Sequence, residues 1–243
     1  MTTDRRDFLA RFAAGTAATV AGASAFPFAL HAAGFDAHAA GESASQFSAE
    51  WLASLALPRV EWDTSWTSKL TGKHRAVFDS PAVDGGVGVF RSGLWQNQYA
   101  DVLKAAPADI TSVLVLRHDA IILAMAQPFW DEYQLGKKNK VTHPMTEKKT
   151  TRNPAMLSEA DGVPPSFASL ALDKQMAKGT IVLACGLAFS QMVGMVGKQH
   201  KVKGEEARAK AMTGLIPGII LQPSGFFATT LAGQNGCIYV RAS

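Results

Sequence analysis

The run Thr180-Ile181-Val182-Leu183-Ala184 is apolar and β-branched, and it stops at Cys185 followed by Gly186. Parallel α/β sheets place ligands and chemistry where a strand gives way to a helix. A thiol at that point sits near a helix N-terminus, whose field favours the nucleophilic thiolate. Cys185 is therefore the candidate for covalent chemistry, and the opposing reading is a small buried hydrophobe. Cys237, the second of two cysteines, opens a predicted strand where Cys185 closes one. In a parallel sheet the two then lie at opposite edges, separated by about 16 Å for a five-residue strand. A disulfide needs Cα atoms within about 7 Å, so Cys237 reads as core filler.

Other residues gather on the same predicted edge. His118 follows the second strand and could act as a general base or polarise a ligand; it could equally bond a loop carbonyl. Asp79 and Asp84 follow the first strand and could orient His118 or cap a helix. Gly186, Arg91 and Ser224 are candidate ligand contacts, and Ser224 also fits the N-cap of the last helix. The loop Gly85-Gly86-Val87-Gly88 fails the dinucleotide fingerprint, because Arg91 stands at the third glycine position. The histidines lack metal-ligand spacing, so neither a metal nor a cofactor is expected.

The elements that position these residues alternate. Strands are predicted at His74 to Phe78, Thr111 to Leu116, Thr180 to Ala184, Ile219 to Leu221 and Cys237 to Arg241. Helices are predicted around Leu94 to Leu103, Ala120 to Met125, Ser169 to Lys178, Leu187 to His200, Glu205 to Thr213 and Gly225 to Ala232. This order indicates an α/β fold: a mainly parallel five-stranded sheet with helices on both faces. Residues 41–72 read as an N-terminal arm, with Phe47, Trp51 and Leu55 at helical spacing. Residues 73–243 form the α/β domain. The polar, proline-punctuated stretch 127–165 reads as a surface insertion with a short helix around Phe129 to Leu135.

Residues 1–40 read as an address. Arg5-Arg6-Asp7-Phe8-Leu9, an alanine-rich run and small residues at Ala23-Ser24-Ala25 or Ala37-His38-Ala39 resemble a twin-arginine export signal. The resemblance implies the twin-arginine export machinery as a partner and a periplasmic or exported location in a bacterium. An amphipathic helix and a permanent anchor are the alternatives. Phe12 to Ala33 is long enough to span, but its Ala and Gly make it weakly hydrophobic. No membrane span is expected after cleavage. Net charge is only +4, and Lys137-Lys138-Asn139-Lys140 with Lys148-Lys149 reads as a solvated loop. That excludes a nucleic-acid binder, which needs clustered basic residues on one face.

With these elements placed, residues 74–243 resemble the DsrE/DsrF-like sulfur-relay family. Val115-Leu116-Arg117-His118-Asp119-Ala120 is similar to its strand ending in His-Gly. Leu172 to Gly179 and Thr180 to Ala188 are similar to its helix and its hydrophobic run ending in Cys-Gly. Ile219 to Gly225 resembles its strand leading to Pro-Ser-Gly, and Gln234 to Tyr239 its closing strand. Asp119 replaces the usual Gly, Cys237 the usual aromatic, and the insertion is foreign to small members. The resemblance implies a DsrE-like sheet, sulfur transfer or carriage through Cys185, and homo- or hetero-oligomers. A non-enzymatic ligand-binding or assembly module with a structural Cys185 is the alternative.

Overall fold

The computed structural model describes residues 61–243. Arg5, Arg6, the cleavage candidates and the Phe47, Trp51 and Leu55 spacing lie outside the described residues. Five strands form one sheet: β1 (His74–Ser80), β2 (Ile110–Leu116), β3 (Ile181–Cys185), β4 (Ile220–Gln222) and β5 (Ile238–Arg241). All pair in parallel, in the order β4-β3-β2-β1-β5. Ala76, Phe78, Leu114, Leu116, Val182 and Ala184 pack on one face, and Val77, Val113, Val115, Ile181 and Leu183 on the other. Both faces of the central strands are buried, which is why they read as continuous apolar runs rather than alternating ones.

Six helices of five residues or more follow among the described residues: α1 (Val87–Leu103), α2 (Gln127–Tyr133), α3 (Leu172–Ala177), α4 (Gly186–His200), α5 (Gly204–Met212) and α6 (Gly225–Gln234). The first face is covered by Val89 of α1, Trp130 of α2, Leu172 of α3, Phe189 of α4 and Ala211 of α5. The second is covered by Ala228 and Ala232 of α6 with Trp66 and Leu70, at and just after the 3-10 turn Ser65–Lys69. Strand order explains the division. From β1 to β4 the chain advances in one direction, and right-handed crossovers keep its connections on one face. From β4 it returns across the sheet to β5 beyond β1, so the same handedness sends α6 to the other face. The apolar stretch predicted helical at Ala120 to Met125 is a 3-10 turn, His118–Ala124. Among the described residues no helix is long and apolar enough to cross a membrane.

The insertion is not the surface excursion its polarity suggests. Phe129, Trp130, Tyr133, Leu135, Val141, Leu157 and Val163 are buried. Phe129, Trp130, Tyr133 and Leu135 cluster in and just after α2, the short helix predicted there, whereas Val141, Leu157 and Val163 stand singly in polar, proline-rich stretches without a period. Asn153, 1 % exposed, pins the segment to the body. Its Nδ2 donates to the carbonyls of Leu123 and Met125 at 3.0 and 2.9 Å, and its Oδ1 accepts from the Ala155 amide at 3.0 Å. We predict that Asn153→Ala costs about 2 kcal/mol in urea denaturation, because it strands buried backbone groups, and speeds proteolysis within residues 137–152. An unchanged denaturation midpoint would refute this anchoring role.

Candidate functional site

The connection after β3 leads to α4 on one face, and the connection after β4 leads to α6 on the other. The carboxyl ends of these neighbouring strands therefore diverge, and open parallel sheets bind ligands at such switch points. Cys185 and Gln222 are the register partners there. Cys185 caps the 15-residue α4, its Sγ accepting from the Ala188 amide at 3.5 Å. The residue is 6 % exposed. Gly186 follows because nothing larger fits: a Cβ there would lie 2.7 Å from the Gln222 carbonyl oxygen and 3.1 Å from the Trp62 ring. Gln222 is fully buried. Its Nε2 donates to the Asp63 carbonyl at 2.7 Å, while its Oε1 is buried with no partner among the described residues. The segment carrying Trp62 and Asp63 is thus strapped over the β3–β4 crevice.

A charged cluster adjoins the thiol. Leu116 pairs with Ala184, so Arg117 lies level with Cys185, and its amide extends the β1–β2 ladder to the Ser80 carbonyl at 3.1 Å. Arg117 Nε and Nη2 donate to the two carboxylate oxygens of Asp79 at 2.6 and 2.8 Å. Tyr239 donates its hydroxyl to the same carboxylate at 2.7 Å. Burial pushes the Asp79 carboxyl up, but hydrogen bonds from Arg117 and Tyr239 and the charges of Arg117 and Arg241 outweigh it, leaving the pKa below the ordinary value. The Asp79 hydrogen bond holds the Arg117 proton more tightly against desolvation, and the charge of Asp79 adds to that hold. Hydrogen bonding to Asp79, then burial, raises the Tyr239 pKa, which keeps the phenol a donor. A Cβ at Gly225, the first residue of α6, would collide with the Arg117 side chain. The helix start thus rests directly on the arginine.

The predicted site residues divide. Cys185, Gly186 and Asp79 lie along the carboxyl rim. Ser224 is there too, but its hydroxyl caps α6 by accepting from the Phe227 amide at 3.1 Å. His118 is not brought to Asp79: it has left-handed backbone (φ 53), a side chain 74 % exposed, and an Asp119 oxygen 3.6 Å away. Asp84 is exposed and starts a 3-10 turn. Arg91 donates to the Ala242 carbonyl at 2.7 Å and lines a separate cleft of about 810 Å³ with Phe90, His143 and Phe167. Cys185 does not line that cleft. Cys237 is buried and free, as is Cys185, and burial raises its thiol pKa against the opposing charge of Arg75. Sequence reasoning missed Arg117, Tyr239 and Gln222. A signal existed for Arg117 and Gln222, since each is the first long polar side chain after an apolar strand run. No family model matches this chain, and no curated protein matches it.

Two outcomes are expected. Because its folded pKa is depressed, Asp79 contributes stability that is present above the ordinary carboxylate pKa of about 3.9 and is lost as pH falls through the lower folded value. Asp79→Asn should cost about 2 kcal/mol at neutral pH, less than for a sealed pair because the Arg117 side chain is 32 % exposed. In urea denaturation that deficit should narrow once the solution is more acidic than about pH 3.9; a deficit constant with pH would contradict the account. Trp62→Ala should speed maleimide labelling of Cys185 about tenfold, the effect of roughly 1.4 kcal/mol of lost cover. Labelling of buried Cys237 should stay as slow as in wild type. Equal acceleration at both thiols would mean global loosening instead of an uncovered crevice.

Proposed function

We propose that this chain is an exported, DsrE-like protein that carries or transfers sulfur on Cys185. One observation supports the reading most: Cys185 stands at the switch point, at the N-terminus of a 15-residue helix with an amide donated to its sulfur, level with the cation of Arg117. Helix N-termini and neighbouring cations favour a thiolate. In the step envisaged, the Cys185 thiolate attacks the terminal sulfur of an alkyl hydropersulfide. The donor S–S bond breaks, its electron pair leaves on an alkyl thiolate, and Cys185 becomes a hydropersulfide. No oxidant is consumed. Asp79 acts through Arg117. The reading departs from the sequence expectation in giving His118 no part. The twin-arginine resemblance of residues 1–40 supports delivery of the folded chain to the periplasm, and the family resemblance supports assembly into homo- or hetero-oligomers.

A second reading rests on the 6 % exposure of Cys185 and its membership of the apolar cluster under α4. In it the thiol is structural and the protein is a non-enzymatic ligand-binding or assembly module. Intact-mass measurement separates the two. After incubation with an alkyl hydropersulfide, wild type should gain about 32 Da, roughly one sulfur atom, and Cys185→Ala should not. A wild type without the adduct, under conditions where Trp62→Ala also stays unmodified, would remove the sulfur-carrier reading.

A further inference from the structure

The ion pair at the rim leaves part of Arg117 unused. Nε and Nη2 are both committed to Asp79, but Nη1 makes no hydrogen bond among the described residues. The Arg117 side chain is 32 % exposed, whereas that of Asp79 is 3 % exposed, so solvent meets the cation and not the carboxylate. The charges do not cancel. Arg241 follows Val240 on β5, is exposed, and lies close enough to act on the Asp79 carboxylate; two guanidinium groups therefore face one carboxylate. The start of α6 lies against Arg117. Its Gly225 and Phe226 amides have no acceptor among the described residues, which adds the positive end of a ten-residue helix. Approach is open at this point, with Phe226 68 % and Tyr239 55 % exposed.

We infer that the rim beside Cys185 is an oxyanion subsite, in which Nη1 of Arg117 and the start of α6 hold a small anion whose far end reaches the thiol. The inference rests on the sulfur-carrier reading of Cys185 and names the class of donor: a sulfane sulfur attached to an oxidised, anionic sulfur group, with thiosulfate the simplest member. The thiolate attacks the outer sulfur of thiosulfate and an S–S bond forms. The S–S bond of thiosulfate breaks with its electron pair, sulfite departs, and Cys185 is left as a persulfide anion. The total charge is the same on both sides and no outside oxidant is needed. Arg117 then serves twice, by binding the oxygens of the donor and by stabilising the sulfite that leaves.

Calorimetric titration of wild type and Cys185→Ala with sodium thiosulfate and with sodium sulfate tests the subsite without any chemistry. Both anions should bind both proteins saturably. Arg117→Lys should weaken binding about tenfold, since an ammonium cannot hold Asp79 and present a second planar edge. Asp79→Asn should tighten it about fivefold by removing the competing carboxylate. A gain of affinity cannot come from misfolding, so this variant keeps the test decisive if Arg117→Lys is unstable. Absence of saturable binding, or affinity indifferent to both substitutions, overturns the subsite. Anion binding in the expected order of affinities, with no adduct of about 32 Da on wild type given thiosulfate, leaves the anion subsite standing and overturns thiosulfate as the sulfur donor. Adduct formation from an uncharged alkyl hydropersulfide, without anion binding, overturns the subsite and leaves sulfur transfer standing.

Discussion

The arrangement depends on one change of direction. Four strands are laid down side by side from β1 to β4, and the handedness of their crossovers keeps every connection on a single face. The chain then returns over the sheet to add β5 beside β1. That reversal sends α6 to the bare face and parts the ends of β3 and β4. Cys185, Gln222 and the start of α6 meet at this parting. A sheet that simply continued outward would bury the second face under nothing and would leave no crevice beside the thiol.

Electrostatics builds on that geometry. Asp79 stands at the end of a central strand under almost complete cover, where a lone carboxylate would be expelled or protonated. Three groups from two other strand ends prevent it: the two nitrogens of Arg117 and the hydroxyl of Tyr239. The cluster ties β1, β2 and β5 together at the rim, and it holds Arg117 at the level of Cys185. Packing completes the fixation, since the arginine stem lies against the Cα of Gly225, where any side chain would collide. The cation is thus preorganised by a carboxylate, a phenol and a glycine, none of which touches the thiol.

Cover distinguishes this site from an open active-site cleft. Trp62 lies against Gly186, and Gln222 draws the Asp63 backbone onto the end of β4. Among the described residues the Gln222 Oε1 is buried without a hydrogen-bond partner. The cleft around Arg91 and Phe167, which Asp84, His143 and Glu147 also line, does not include either cysteine.

Much of this was legible in the residues. The five strands fall within one or two positions of the runs that predict them; for β2 and β3 this is because strands buried on both faces must be apolar throughout, while β4 and β5 are short and partly exposed and are marked by the turns before them. Cys185 ending a strand, Ser224 capping a helix and Asp79 at the rim follow from local rules of the same kind. Within the insertion the short helix around Phe129 is legible in the sequence and present as α2, but Val141, Leu157 and Val163 are isolated in polar stretches, so their burial follows from tertiary contacts rather than from periodicity. His118 was chosen over Arg117 because histidine has the more versatile chemistry, yet one step of chain puts the two residues in opposite environments. Local side-chain pattern thus determined where strands begin and end and which residues could reach a rim. Only the tertiary structure decided which of them meet, because partnership depends on strand order and on the face each connection takes, and neither is encoded in any short stretch of chain.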